Sequence, residues 1–214
     1  MAEASDEALL SRWQQGDETA GKLLYRRYFP VVHRYFRNKA SAEEFDDLVQ
    51  STFLGCHRGL QTFRHEASFK TFILKIAHNV FVSHCRKRIR EREHDGPTPG
   101  SDDLSVADLA KSPFSVVADS RQARLLLAAL RALPRDVQAL LELFYWEEQS
   151  GREIGEILDL PEGTVRGRLA SARRQLEARM VALASSPEEL ASTVSDLEGW
   201  AKKIRAQMGR ETGE

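Results

Sequence analysis

The chain has 214 residues, 42% hydrophobic and 29% charged, and its 31 basic residues nearly cancel 32 acidic ones to a net charge of -1. That length fits one large domain or two small ones, and the neutral balance excludes a wholly basic nucleic-acid coat, so any DNA surface must come from local segregation of charge. Two cysteines, Cys56 and Cys85, are too few for a disulfide framework and lack metal-ligand spacing, the polar Met1–Asp6 start is no signal peptide, and no apolar run approaches the roughly 18 residues of a membrane span.

The helical period dominates, and no strand alternation competes with it. A short helix is predicted at 5–15. A pair follows at 17–38, interrupted near Pro30, whose ring removes an amide donor. Two long helices are expected at 41–60 and 68–91. Residues 93–119 change character: Gly96, Pro97, Pro99, Gly100 and Pro113 punctuate them, and Glu93, Asp95, Asp102, Asp103, Asp108 and Asp119 face one base, Lys111. This composition predicts a flexible acidic linker. Helices resume at 120–132, 135–147, 151–158 and 162–183, with a last one at 187–208. Ser41–Glu44, Ser150–Glu153 and Ser186–Glu189 have the S-x-x-E form of a capping box, in which hydroxyl and carboxylate reciprocally satisfy orphan amides. Pro187 adds a proline at the first helical position. The expected fold is all-α: small helical domains at 8–92 and 120–180, the linker 93–119 between them, and a C-terminal helical extension at 185–210.

The C-terminal domain carries the sharpest signal. In SGREIGEILDLPEGTVRGRLASARRQLE, residues 150–177, Ile154, Ile157 and Leu158 share one face. Asp159-Leu160-Pro161 then breaks the helix, and Val165, Leu169, Ala172 and Leu176 form a second stripe. Two short amphipathic helices joined by a tight turn make a helix-turn-helix. The polar side of the second helix offers Glu162, Gly163, Thr164, Arg166, Gly167, Arg168, Ser171, Arg173 and Arg174. Arginine reaches guanine bidentately or clamps phosphate, and Gly allows close backbone approach. The N-terminal turn of such a helix enters the major groove. The plainer reading is a helical hairpin with a solvated arginine face.

The stretch from Leu133 to Leu176 closely resembles region 4 of extracytoplasmic-function (ECF) sigma factors, which reads the minus-thirty-five promoter element. Gly155 stands where that family usually has alanine, and Asp159 where it usually has glycine. Gly155 is expected to loosen the first helix by about 0.5–1 kcal/mol, and Asp159 to tolerate a left-handed backbone.

The N-terminal half holds FDDLVQSTF at 45–53, with Phe45, Leu48, Val49, Thr52 and Phe53 as a buried stripe and an acidic start that suits the helix dipole. It resembles the region-2 helix that grips the polymerase clamp, which implies that Asp46, Asp47, Leu48, Gln50 and Phe53 face polymerase. From 63 to 92, aromatic and apolar residues interleave with bases and end in Arg86, Lys87, Arg88, Arg90 and Arg92. Such a pattern suits strand-separated DNA, with rings holding unstacked bases and cations following the backbone. It equally suits a buried aromatic face with a basic helix end. The segment resembles the part of region 2 that captures the minus-ten element, implying contacts from Arg64, Ser68, Phe69, Phe72, Lys75, His78, Asn79, Ser83, Arg86, Lys87 and Arg88. That family usually has tryptophan near Phe72 and an acid near Ser83.

The resemblance covers about 8–92 and 120–180 and implies an alternative sigma factor in the cytoplasm. Its partners would be core RNA polymerase, promoter DNA and an anti-sigma factor. No catalytic group, cofactor or metal site is expected; the histidines at 33, 57, 65, 78, 84 and 94 lack zinc spacing. Two rivals are a helix-turn-helix regulator that acts without polymerase and a sigma-mimicking adaptor that binds an anti-sigma factor. In the tail, Leu190, Val194, Leu197, Trp200, Ala201, Ile204 and Met208 fall at helical spacing. That stripe needs cover, either from the C-terminal domain or as a docking helix.

Overall fold

The computed structural model describes residues 4–37, 39–64, 66–95 and 121–184, together with Gly199. Among them every regular element is helical. The Ser5 hydroxyl accepts from the Ala8 amide at 3.3 Å and starts α1 (Asp6–Gln14). Asp17 accepts the Thr19 and Ala20 amides at 2.9 and 3.2 Å and opens α2 (Glu18–Arg37). The expected break at Pro30 does not occur; α2 runs through it. The reason is packing. Val31, Val32, Tyr35 and Phe36 beyond the proline are all buried. Each such side chain contributes about 1.5–3 kcal/mol, which together outweighs the roughly 3 kcal/mol of an interior proline.

Next come α3 (Ala42–Gly59), a 3-10 turn at Leu60–Thr62, and α4 (Phe69–Asp95). The box at Ser41 forms: its hydroxyl and amide donate to the Glu44 carboxylate at 2.8 and 3.2 Å. Helix α4 extends past residue 91 into the start of the expected linker. The C-terminal helices are α5 (Arg121–Arg131), α6 (Arg135–Tyr145), α7 (Gly151–Leu158) and α8 (Glu162–Leu183). The remaining linker, 96–119, residue 120, the box at Ser186 and the C-terminal stripe lie outside the described residues, Gly199 excepted.

The N-terminal core is built from Leu9, Leu10, Leu24, Val32, Phe36, Ile73, Leu74 and Ala77. The C-terminal core uses Leu126, Leu130, Leu141, Leu143, Ile154, Ile157, Val165, Ala172, Leu176 and Met180. The two modules also touch, with α4 lying along α7.

The turn between α7 and α8 clarifies both departures noted in the sequence. Asp159 caps α7 in the left-handed region, at φ 54 and ψ 49, as expected of an aspartate there. Gly155 is a different matter. A Cβ at that position would lie 2.6 Å from the Leu160 carbonyl oxygen, and the Leu160 amide donates back to the Gly155 carbonyl at 2.9 Å. Glycine here does not merely loosen the helix; it lets the turn fold against it. Gly155→Ala is therefore expected to destabilise by about 1–3 kcal/mol, the usual cost of overpacking, despite the better helix propensity of alanine. Thermal unfolding followed by circular dichroism should show a melting temperature lowered by a few degrees; an unchanged or raised one would show that the turn relaxes freely.

Candidate nucleic-acid and polymerase interfaces

Helix α8 buries Val165, Leu169, Ala172, Leu176 and Met180 and turns the remainder outward. Glu162, Gly163, Thr164, Arg166, Gly167, Arg168, Arg173 and Arg174 are all exposed, and Ser171 is half-buried. Pro161 precedes the helix and no side chain caps it. The amides of its first turn thus point outward with the positive end of the helix dipole, a ready anion-binding arrangement. Gly163 and Gly167 have nothing within 4 Å of the place a Cβ would occupy, so a ligand surface can approach the backbone there. Arg166 and Glu162 are 4.0 Å apart and largely solvated, which holds the guanidinium only weakly. Arg173 differs from its neighbours. Its guanidinium lies 5.0 and 5.5 Å from the rings of Phe144 and Tyr145, so it ties α8 to α6 by a cation–π contact.

In the N-terminal module, α3 buries Leu48, Val49 and Thr52, while Phe45 and Phe53 are half-buried. Phe53 packs 4.1 Å from Tyr25 of α2, centroid to centroid. Asp46, Asp47 and Gln50 face solvent, as does Leu54. Of the residues that the clamp-helix resemblance implied, Leu48 and Phe53 thus sit on the packing side, and Asp46, Asp47 and Gln50 on the open side.

The residues assigned to the minus-ten element separate in a similar way. Phe69 is buried, and Phe63, Phe69 and Phe72 form an aromatic cluster, with Phe63 and Phe72 4.5 Å apart. The Ser68 hydroxyl accepts the Thr71 amide at 3.0 Å and so caps α4. Arg64, Asn79, Ser83, Arg86 and Lys87 are exposed. Asn79 and Ser83 line a groove between α3 and α4 together with Asp47, Leu48, Gly55 and Ile76. One groove therefore joins residues that the sequence had divided between polymerase and DNA.

Three further members of that set already have partners. Lys75 donates to Asp159 at 2.6 Å. His78 lies 3.0 Å from the Tyr35 hydroxyl through Nδ1. Burial, and then the nearby Lys39 charge, push the imidazole down to about 4, so it is neutral at pH 7. Burial raises the Tyr35 phenol, so two neutral groups share this hydrogen bond, and its direction follows the imidazole tautomer. Arg88 pairs with Glu44 at 2.9 Å, and His84 approaches the same oxygen at 3.0 Å.

The joint between the modules left almost no trace in the sequence. Arg34 meets Glu147, Lys39 meets Glu142, and Thr71 donates to Gln149. The one legible signal was a carboxylate at Glu142 inside an apolar run, flanked by buried Leu141 and Leu143. No described residues cluster as metal ligands, and no described helix is long and apolar enough to cross a membrane. Cys56 and Cys85 are unbridged thiols.

A helix-turn-helix with an arginine-rich outer face, beside a helical module that ends in a basic helix, defines a two-module DNA-binding protein. Comparison with known families sharpens this. The model of Sigma-70 region 2 matches residues 24–91, and that of Sigma-70, region 4 matches residues 123–176. Over 189 residues the chain is 30% identical to the ECF RNA polymerase sigma-E factor of Haemophilus influenzae, covering 83% of this chain and 96% of that one. It is 30% identical over 175 residues to ECF RNA polymerase sigma factor SigM of Mycobacterium tuberculosis, covering 81% and 84%. The chain belongs to the ECF family of RNA polymerase sigma factors. It is an alternative sigma factor, a member of a non-catalytic family that directs core polymerase to promoters. Among solved structures the fold matches CnrH in complex with the cytosolic domain of CnrY, with a TM-score of 0.59 at 22% identity over 84% of this chain and 99% of that one. It also matches the sigma factor RpoE in complex with the anti-sigma factor NepR from Bartonella quintana, with a TM-score of 0.58 at 20% identity, covering 74% and 95%.

Glu44 yields a prediction about pH. Burial would raise its carboxyl, but hydrogen bonds from Ser41 and His84 and the Arg88 charge outweigh burial and hold it at about 2, against an ordinary 4.5. A carboxyl depressed in the folded state contributes stability above its unfolded value and loses that contribution as pH falls through the folded one. Glu44→Gln should therefore lower the melting temperature at pH 7, and the gap to the native chain should close between pH 4.5 and 2. Melts across that range test this; a gap of constant size would show that the charge of Glu44 is not what stabilises.

Proposed function

We propose that α8 reads the minus-thirty-five element in the major groove while the N-terminal module holds the melted minus-ten element. The observation that carries this reading is the outward face of α8. An uncapped helix start, two open glycines and Arg166 and Arg168 stand on a helix whose opposite face is fully buried. The first-turn amides, with Thr164, take phosphate. Arg166 and Arg168 reach base edges, where a bidentate contact is worth about 1–3 kcal/mol of discrimination. Glu162 suits a cytosine amino group. Ser171 and Arg174 follow the backbone, and Arg173 steadies the helix.

On the N-terminal module, Arg64, Asn79, Ser83, Arg86, Lys87 and Arg88 contact the minus-ten strand, with Lys75 and His78 available once their present partners release them. Phe72 offers a half-buried ring, and Phe69 and Ser68 shape the loop around it. Asp46, Asp47 and Gln50 meet polymerase, with Leu48 and Phe53 packed behind them. The protein works in the cytoplasm, performs no bond chemistry of its own, and is restrained by an anti-sigma partner, a reading supported by the complex of one structural neighbour, RpoE, with the anti-sigma factor NepR. With a net charge of -1, it has too little positive charge for tight autonomous DNA binding.

In vitro transcription with core polymerase on a genomic template is the test. The full chain should yield promoter-dependent initiation. Arg166→Ala with Arg168→Ala should lower it on the order of 10-fold or more, from two lost base contacts, while co-purification with core polymerase is retained. Retained promoter selectivity in the double variant would move the reading helix elsewhere. Operator binding without polymerase would favour an ordinary repressor or activator.

A further inference from the structure

Helix α1 is tied at both ends to the aromatic cluster at the start of α4. From its last residue, Gln14, the side-chain nitrogen donates to the carbonyls of Leu60 at 3.0 Å and Phe63 at 3.2 Å, 46 and 49 positions along the chain. Those carbonyls belong to the 3-10 turn that ends α3 and to its cap, where backbone acceptors run out of helical donors. The Phe63 amide closes the turn on the Leu60 carbonyl at 3.3 Å, and Gln14 supplies that oxygen with a second donor. Two acceptors facing one carboxamide require its nitrogen, so both of its protons are used and the group cannot turn over. The Gln61 amide reaches back to the Gln14 carbonyl at 3.5 Å. At the other end of α1, Asp6 takes Arg27 and the Tyr28 hydroxyl of α2. The Tyr28 ring then meets Phe69 edge-on at 5.0 Å.

What Gln14 holds in place is the surround of Phe72. Gly59, one residue before Leu60, brings bare backbone close to that ring: a Cβ there would lie 3.1 Å from the Phe72 Cζ. Phe63 flanks the same ring at 4.5 Å, centroid to centroid. Phe72 is half-buried, and the exposed Arg64 follows Phe63 directly. The stretch from Gly59 to Phe63 therefore touches Phe72 at both of its ends, and one side chain from α1 anchors it at Leu60 and again at Phe63. A ring holds an unstacked base by stacking, and stacking depends on the offset and spacing of the partners. A shift of the two carbonyls is thus passed to the ring surface that a base would meet.

We propose that Gln14 is a positioning residue for minus-ten recognition: by holding the Leu60 and Phe63 carbonyls it sets Phe63 against Phe72, and with it the surface offered to an unstacked base. Gln14 does not touch the DNA; its influence passes through Phe63 and Gly59. The role rests on the promoter reading above and deepens it. Releasing the amide leaves α8 untouched, so it changes which bases are chosen at the minus-ten element and not which are chosen at minus thirty-five. A residue that merely stabilised the fold would lower initiation on every template alike.

The test compares full chains, each assembled with core polymerase, on a template library randomised across both promoter elements. A barcode in the transcribed part of each template lets sequencing of the transcripts report which promoters fired. Gln14→Glu keeps the shape of the side chain and exchanges its donor for an acceptor. It should weaken the strongest base preference of the minus-ten element on the order of 10-fold, the worth of one specific base contact, and leave the minus-thirty-five preferences unchanged. Gln14→Met removes the donor without adding a charge. It should act in the same direction, and it decides the matter if the acidic variant does not fold. The control is Gln15→Glu, the same change at an exposed neighbour whose amide lies 3.4 Å from the Ser11 hydroxyl; it should match the native chain. A native minus-ten preference that the Gln14 variants keep overturns the role of Gln14 and leaves the promoter reading standing. An equal loss at both elements also overturns it, because that marks a weakened fold. If the native chain shows no minus-ten preference, the promoter reading falls and the role of Gln14 falls with it.

Discussion

Two carboxylates near the C-terminal end of α6 set how the molecule is arranged. Glu142 and Glu147 receive Lys39, Arg34 and Lys70 from the other half of the chain in a nearly dry joint. Charges that are taken out of water must find partners, or the cost is several kcal/mol each. Those pairs accompany the packing of α7 along α4 and decide which of the surface cations remain available. A joint of this type orients strongly while stabilising only modestly. An apolar joint of similar extent would orient less and bind more firmly.

Helix α8 depends on the simpler half of the same physics. Its buried stripe recurs every three or four residues from Val165 to Met180, so its opposite face is determined once the stripe is packed. The arginines are then presented by default, and Arg173, though exposed, is also held by a cation–π contact to Phe144 and Tyr145. The turn that sets the angle of α8 requires close backbone contact at Gly155 and a left-handed residue at Asp159. Asp159 also reaches Lys75 of the other module, which glycine could not do. The two departures from the usual family pattern thus serve one corner of the fold: one removes bulk where the turn closes, and the other adds a charge where the modules meet.

Helix positions were largely legible in the sequence, and so was the buried stripe of α3, because both follow from local spacing and capping. Pro30 misled because local rules assign it a break, while the burial of four side chains beyond it is a tertiary gain. Gly155 misled in the same way: propensity counts its entropy but cannot see the Leu160 carbonyl. The minus-ten segment was ambiguous by composition. Folding divided it, placing Phe69 and Phe81 in the core and Arg86 and Lys87 at the surface.

By itself, the sequence determined an all-helical chain in two modules, a helix-turn-helix with a local excess of arginine, and the family whose pattern those features match. Periodicity, caps and turn residues are properties of near neighbours, and neighbours are what a sequence displays. Only the tertiary structure decided which cations are spoken for. Arg34 and Glu147 are separated by 113 positions and Lys39 and Glu142 by 103, and no local rule pairs residues so distant. Their pairing depends on which helices pack together. That packing makes the arrangement of the modules a property of the folded chain rather than of any motif within it.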